Sequence, residues 1–367
     1  MKRIVDEIRE KAKKIGRPVR LMELCGTHSQ TIAEHGIKEL MPKNVILVSG
    51  PGCPVCVTDQ TDIDVMVGLA LAGIPVAVYG DTMQVPGNLM SLEEAAQKGA
   101  DVSVVYDITE AVRLQKEKSK LVFFGLGFET TTGMTAWAIQ QGLTVYSAHK
   151  LFPPAMAALL ANNNAGPHPN SLLKKERGQM EKNFQIDGFI DPGHVSAMIG
   201  TRVYEQFSIP QVVAGFSGED VLRAISMLLT QILKGEKKVE NDYSRLVKKE
   251  GNVKAMQLIA EVFETGDARW RGLGEIKKSG LKIRKKYRRH DAEFVHRDLI
   301  AKIKAETKIK PSACQCGLVL QGLIEPKQCP MFGRACTPDK PQGACMVSVE
   351  GSCNVEFRYK KIKIIFL

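Results

Sequence analysis

The residues best suited to chemistry in this 367-residue chain fall into two groups. Cys25 opens the run Cys-Gly-Thr-His28, and Cys53 and Cys56 form the Cys-x-x-Cys of GPGCPVC. No other cysteine follows until six appear between Cys314 and Cys353. A thiolate is a soft ligand for iron or zinc and the nucleophile of thiol exchange. Structural disulfides do not persist in a reducing compartment, so such crowding points to metal or redox chemistry. A lone free cysteine is commonly buried and inert, but three on neighbouring loops make mere packing a poor account.

Two histidines accompany them. His28 and His194 each stand near a glycine at the mouth of an expected helix, where an imidazole can orient a ligand, carry a proton or bind metal. The plain alternative for each is a hydrogen-bonded core imidazole. His35, His168, His290 and His296 sit in ordinary surroundings. Glu350, just before Gly351, is a candidate carboxylate near the sulfur-rich tail, against the plain alternative of a surface group.

The tail reads C-x-C-x12-C-x6-C-x8-C-x7-C, with glycines and prolines that put its sulfurs on loops. Four thiolates satisfy a [4Fe-4S] cluster or a tetrahedral zinc, and six leave two over. Paired C-x2-C knuckles are absent, which favours iron–sulfur over zinc.

These groups need elements to position them. Eight apolar runs, each followed by a loop and a helix-period segment, read as parallel strands: 19–24, 44–49, 75–79, 102–106, 121–125, 143–147, 188–191 and 211–215. Parallel sheets bind ligands beyond the carboxyl ends of their strands. CGTH, GPGCPVC and YGDTMQVPG follow the first three runs, and GLGFETT, SAHKLFPP, DPGHVSAMIG and GFSGED follow later ones. Thr58 is the expected cap of a helix through TDIDVMVGLALAG, placing Cys56 at its positive end and favouring the thiolate. Thr27 or Ser29 is the matching cap beyond Cys25.

The expected architecture is α/β: two similar parallel-sheet domains facing a cleft, plus a smaller cysteine-rich domain. The expected limits are 1–118, 119–235 and 236–367, with ANNNAGPHPN (161–170) as a loop and a helix through NVKAMQLIAEVFE.

Composition narrows the function. A hydrophobic share of 44% with 25% charged residues is ordinary globular chemistry, and no apolar run reaches membrane-spanning length, so a cytoplasmic protein without a membrane partner is expected. The net charge of +11 raises nucleic-acid binding, but the densest basic block, KIRKKYRRHD (282–291), lacks any helix-turn-helix or RNP pattern and reads as a solvated face. Nucleotide and acyl-transfer motifs are missing: GLGFETTTG is not G-x-G-x-x-G, and neither a P-loop nor G-x-S-x-G occurs.

In their order along nearly the whole chain, CGTH, GPGCPVC, DPGHVSAMIG and the tail ACQCGLVLQG…CTPDKPQGACMVSVEGSC closely resemble the HypD family of [NiFe]-hydrogenase maturation factors. GFSGED departs from that family's Gly-Phe-Glu-Pro-x-Asp, so no role is carried over to Ser217 or Gly218. The resemblance implies an assembly scaffold for an iron carrying cyanide and carbon monoxide. It implies a small HypC-type chaperone and a HypE-type cyanide donor as partners, with the hydrogenase large subunit served indirectly. On it, Cys25 is the thiolate on iron, Cys53 and Cys56 an adjoining redox pair or further ligands, and His28 and His194 line the same cleft. Cys316, Cys329, Cys336 and Cys353 are the ligand set chosen for the [4Fe-4S] cluster, leaving Cys314 and Cys345 as an exchanging pair, although spacing alone admits other sets. The competing function is a cluster-dependent protein disulfide reductase similar to ferredoxin:thioredoxin reductase. A third reading is a zinc-stabilised nucleic-acid module.

Overall fold

A computed structural model describes residues 1–164, 185–308 and 312–359. His168 and most of the expected 161–170 loop lie outside them; Ala161 to Asn164 end the helix Phe152–Asn164.

All eight expected strands form. They are β1 (Val19–Glu23), β2 (Val45–Ser49), β3 (Val76–Tyr79), β4 (Val102–Val105), β5 (Val122–Gly125), β6 (Thr144–Ser147), β7 (Gly188–Pro192) and β8 (Gln211–Ala214). Three more were not anticipated: the short β9 (Val239–Asn241) and the antiparallel pair β10 (Phe263–Trp270) and β11 (Gly274–Ile283). β10 escaped notice because its burial runs from one buried end to the other through exposed and half-exposed positions, which leaves few apolar residues for a periodic signal.

The strands are not grouped consecutively. One parallel sheet has the order β2-β1-β7-β8-β9 and the other β4-β3-β5-β6. A boundary at residue 118 would part β4 from β5, which flank β3 in one sheet. The expected third unit likewise begins inside the sheets, since β9 pairs with β8, and Phe263, Leu281 and Ile283 join the core over β3 and β5. Counting strands within each sheet, both share the doubly wound order 2-1-3-4, extended by β9 in the first.

Side chains alternate across each strand and so divide the core. Met22, Val78, Phe124, Phe189 and Val213 join one apolar body that also takes in Cys53, Cys56, Trp270 and tail residues. Their neighbours Leu21, Ile190 and Val212 face the helices Lys2–Ile15 and Gly218–Lys234, while Ala77, Phe123 and Val145 form a third cluster. Each fully buried Phe or Leu contributes about 2 kcal/mol relative to exposure. No described helix is long and apolar enough to cross a membrane.

Candidate functional site

In a doubly wound sheet the loops after adjacent strands diverge where the order reverses, which opens a crevice at their carboxyl ends. In the first sheet that place lies between β1 and β7. The loop after β1 carries Cys25 and His28; the one after β7 carries Gly193 and His194.

Cys25 is the N-cap residue of the helix Gly26–Glu34 but makes no side-chain cap bond, and the helix starts before both Thr27 and Ser29, so neither caps it. The backbone is held tightly here. The Cys25 amide donates to Glu23 Oε2 at 3.0 Å, and Ser29 Oγ donates to Glu23 Oε1. The Gly26 amide donates to the Gly52 carbonyl at 3.3 Å, and a Cβ on Gly52 would overlap the Cys25 backbone nitrogen. Only glycine admits the GPGC loop so close to the CGTH loop.

The tail closes this pocket. Thr27 Oγ1 donates to Glu350 Oε1 at 2.9 Å, and Gln30 Nε2 donates to the Val349 carbonyl at 2.9 Å. A Cβ on Gly26 would stand 2.5 Å from Glu350 Cβ. Glu350 also acts electrostatically on Cys25, His194 and Asp81, so one half-buried carboxylate serves the whole mouth.

Cys25 is 9% exposed, and burial, with Glu350 and Glu23 adding to it, pushes its thiol up to about 12. Position at a helix start does not make it a thiolate, because desolvation outweighs the partial charge of a few backbone amides. A cation arriving at the sulfur would displace the proton.

His28 is fully buried, and its Nε2 lies 2.9 Å from the Gly215 carbonyl, which can only accept. Nε2 therefore carries the hydrogen, and Nδ1, which has no partner, presents a lone pair. Burial lowers its pKa to about 4, keeping the ring neutral at pH 7. Phe216 sits between the two histidines, its centroid 5.0 Å from that of His28 and 4.0 Å from that of exposed His194. Phe216 was not singled out in the sequence, although GFSGED was. Ser217 proves to be a helix cap: its Oγ accepts from the Asp220 amide, and Asp220 Oδ2 accepts from the Ser217 amide, both at 3.1 Å.

Buried acids were also missed. Asp191, one residue before the end of β7, has no exposure and no partner for either oxygen, and burial holds its carboxyl well above the usual range. Glu129 accepts from the Phe152 amide at 2.9 Å through Oε1, leaves Oε2 unpartnered and is pushed up to about 7 by burial. Asp191, Glu129 and Cys25 all act electrostatically on Tyr204, whose hydroxyl lies 3.0 Å from Ser196 Oγ. DPGHVSAMIG and GLGFETT contain both acids; nothing local signals that their partners are lacking.

Cys53 and Cys56 are joined in a disulfide across the short helix Pro54–Val57, with Cα atoms 5.2 Å apart. The longer helix begins at Gln60 under an Asp59 cap, so Thr58 is not the cap and Cys56 does not lie at that helix's head. The pair is inside the protein, at 3% and 0% exposure. Cys56 Sγ is 3.9 Å from the Ala344 carbonyl, next to Cys345.

The six tail cysteines form one sulfur group. Cys316 hydrogen-bonds to both Cys314 and Cys345, and Cys353 interacts electrostatically with Cys314, Cys316, Cys329 and Cys336. Cys336 Sγ accepts from the Gln342 amide at 3.3 Å. Cys314 and Cys345 are free thiols, each hydrogen-bonded to Cys316, and Cys314 acts electrostatically on Cys345. Among the described residues no three His, Cys, Asp or Glu side chains stand in a ready metal-holding geometry, either here or around Cys25. The donor set nonetheless suits an iron–sulfur cluster: six sulfurs, five of them buried, although Cys316, Cys345 and Cys353 stand on short helices and not on the loops expected from the glycines and prolines.

Comparison with known proteins agrees along the chain. The HypD family profile, described as "Hydrogenase formation hypA family", matches residues 1–360. A putative hydrogenase expression/formation protein of Methanocaldococcus jannaschii is 40% identical over 99% of this chain and 98% of its own length. The hydrogenase maturation factor HypD of Cupriavidus necator is 39% identical over 99% and 95%, and that of Escherichia coli 38% identical over 98% and 95%.

Proposed function

The chain belongs to the HypD family, and on that premise we propose that it is a hydrogenase maturation scaffold that holds an iron through Cys25 while cyanide and carbon monoxide are installed on it. The iron with its diatomic ligands is cargo. A HypC-type chaperone supplies a second cysteine, a HypE-type protein supplies cyanide, and the finished group passes on toward the hydrogenase large subunit. The observation that carries the reading is that Cys25 and His28 lie at one helix start at the strand-order reversal, packed against Gly52 of the Cys53 loop and closed over by Glu350. A ferrous ion displaces the Cys25 proton, which passes to solvent, and the neutral His28 offers its Nδ1 lone pair as a nitrogen ligand. Glu350 holds negative charge opposite the incoming cation.

The tail sulfurs fit a [4Fe-4S] cluster, with Cys316, Cys329, Cys336 and Cys353 as its holders. When bound, such a cluster supplies electrons one at a time. The Cys53–Cys56 disulfide needs two electrons and two protons to become two thiols, and only then offers sulfur to iron. Its burial argues against the disulfide-reductase alternative, because a partner protein's disulfide cannot reach it.

The test is infrared spectroscopy, in the cyanide and carbonyl stretching region, of protein purified anaerobically with its chaperone. Bands in wild type that vanish in Cys25→Ala, with the tail's cluster absorption intact, are expected. Bands that persist in a folded Cys25→Ala would remove Cys25 from the iron.

A further inference from the structure

The turn closing the β10–β11 hairpin is wedged between the two sulfur sites and carries an arginine. On one side, the Arg271 amide donates to the Val57 carbonyl at 2.8 Å and its Nε to the Thr58 carbonyl at 3.0 Å. Those carbonyls end the turn that contains Cys53 and Cys56. On the other side, Gly272, at φ +83°, lies against Gly317, where its added Cβ would come within 2.5 Å of the Gly317 Cα. Gln321 Nε2 donates to the Gly272 carbonyl at 2.6 Å. Gly317 directly follows Cys316 on the helix Cys316–Leu320.

The guanidinium is thus clamped through Nε while Nη2 is buried and unpartnered. Arg271 itself is half-buried, but its Nη2 is sealed from solvent, and a charged guanidinium nitrogen left without an acceptor favours an anion beside it. Among the described residues no carboxylate pairs with Arg271. Its charge acts electrostatically on Cys314, Cys316 and Cys345.

We propose that Arg271 is the counter-cation of the tail sulfur centre: its buried Nη2 donates to a sulfur that becomes anionic when the centre is loaded, and its charge favours the more negative, reduced state. Arg271 is a positioning residue, outside the reaction at Cys25. The inference rests on the reading of the tail as a cluster holder and adds what tunes it. Because Arg271 is pinned to Val57 and Thr58, the same side chain ties that tuning to the position of the Cys53–Cys56 turn.

The experiment is a redox titration of the full-length protein, reconstituted anaerobically with ferrous iron and sulfide, for wild type, Arg271→Gln and Arg271→Lys. Loss of the charge should lower the midpoint, so that the reduced-to-oxidised ratio at a fixed ambient potential falls about tenfold, or 59 mV for a one-electron couple. Lysine should restore most of it. A fully loaded Arg271→Gln with the wild-type midpoint overturns the role of Arg271 and leaves the cluster reading standing. Wild type that takes up no cluster overturns both. If Arg271→Gln fails to load, Arg271→Lys decides: loading at the wild-type midpoint supports the counter-cation, and equal failure reduces Arg271 to a structural clamp.

Discussion

The pocket around Cys25 and the sulfur group of the tail are both buried, yet they surround sulfur with different chemistry. Around Cys25 the neighbouring groups are oxygen and nitrogen: Glu23 bonds its amide, Glu23 and Glu350 act on its thiol, the Gly52 carbonyl bonds the next amide, and the His28 imidazole stands at the same helix start. In the tail, thiols chiefly meet other thiols, with one guanidinium nearby. Every carboxylate near Cys25 raises the cost of its ionisation, so that site is prepared for a cation from outside. In the tail the sulfurs also raise one another's cost, but Cys316 and Cys345 each gain a sulfur hydrogen bond that lowers it and Arg271 supplies a positive charge, which suits a centre that stays.

The largest effect should come from deleting one sulfur in each region. Cys25→Ala is expected to abolish hydrogenase maturation while leaving the tail's absorption, whereas Cys353→Ala should abolish that absorption while the far-ultraviolet circular dichroism of the two sheets persists. Loss of the sheets' signal in Cys25→Ala would instead make Cys25 a packing residue.

A smaller effect distinguishes buried acid from buried sulfur. Glu129 keeps its proton up to about 7 in the folded protein, so wild type loses stability as pH rises from the ordinary carboxyl value of 4.5 through that point. Glu129→Gln escapes the loss, and its advantage in denaturant melts should grow to about 3 kcal/mol near pH 8. A pH-independent difference would contradict the assigned burial effect.

Rigidity also separates the regions. Gly52→Ala drives a Cβ against backbone and should cost about 2 kcal/mol. Gly343→Ala meets the Cys314 sulfur at 2.5 Å, a side-chain end that can swing away, and should cost less. Thermal melts of the two variants check the order. Least of all, Ser217→Ala removes the cap behind Phe216 and should cost about 1 kcal/mol, leaving the tail's absorption unchanged.

Much of this was legible in the chain. The eight strands could be read because strands buried on both faces are continuous Val, Ile and Leu runs, and the chemistry-bearing motifs could be placed because they follow those runs. Helix starts near Cys25 and Cys56 were misjudged by a few residues, since cysteine and aspartate took cap positions that nearby threonine or serine would also have filled. Asp191 and Glu129 passed unnoticed because a carboxylate's lack of partners is a property of its surroundings, not of its neighbours in sequence.

By itself the sequence determined the α/β class, the strands, the two sulfur-bearing regions and the family. Tertiary structure alone decided which strands share a sheet, that Cys53 and Cys56 meet in a buried disulfide, that Glu350 closes over Cys25 from more than three hundred residues away, and that Arg271 reaches the tail. Strand periodicity is local and survives in the order of residues. Pairing, desolvation and electrostatic reach depend on distances in space between segments far apart in the chain.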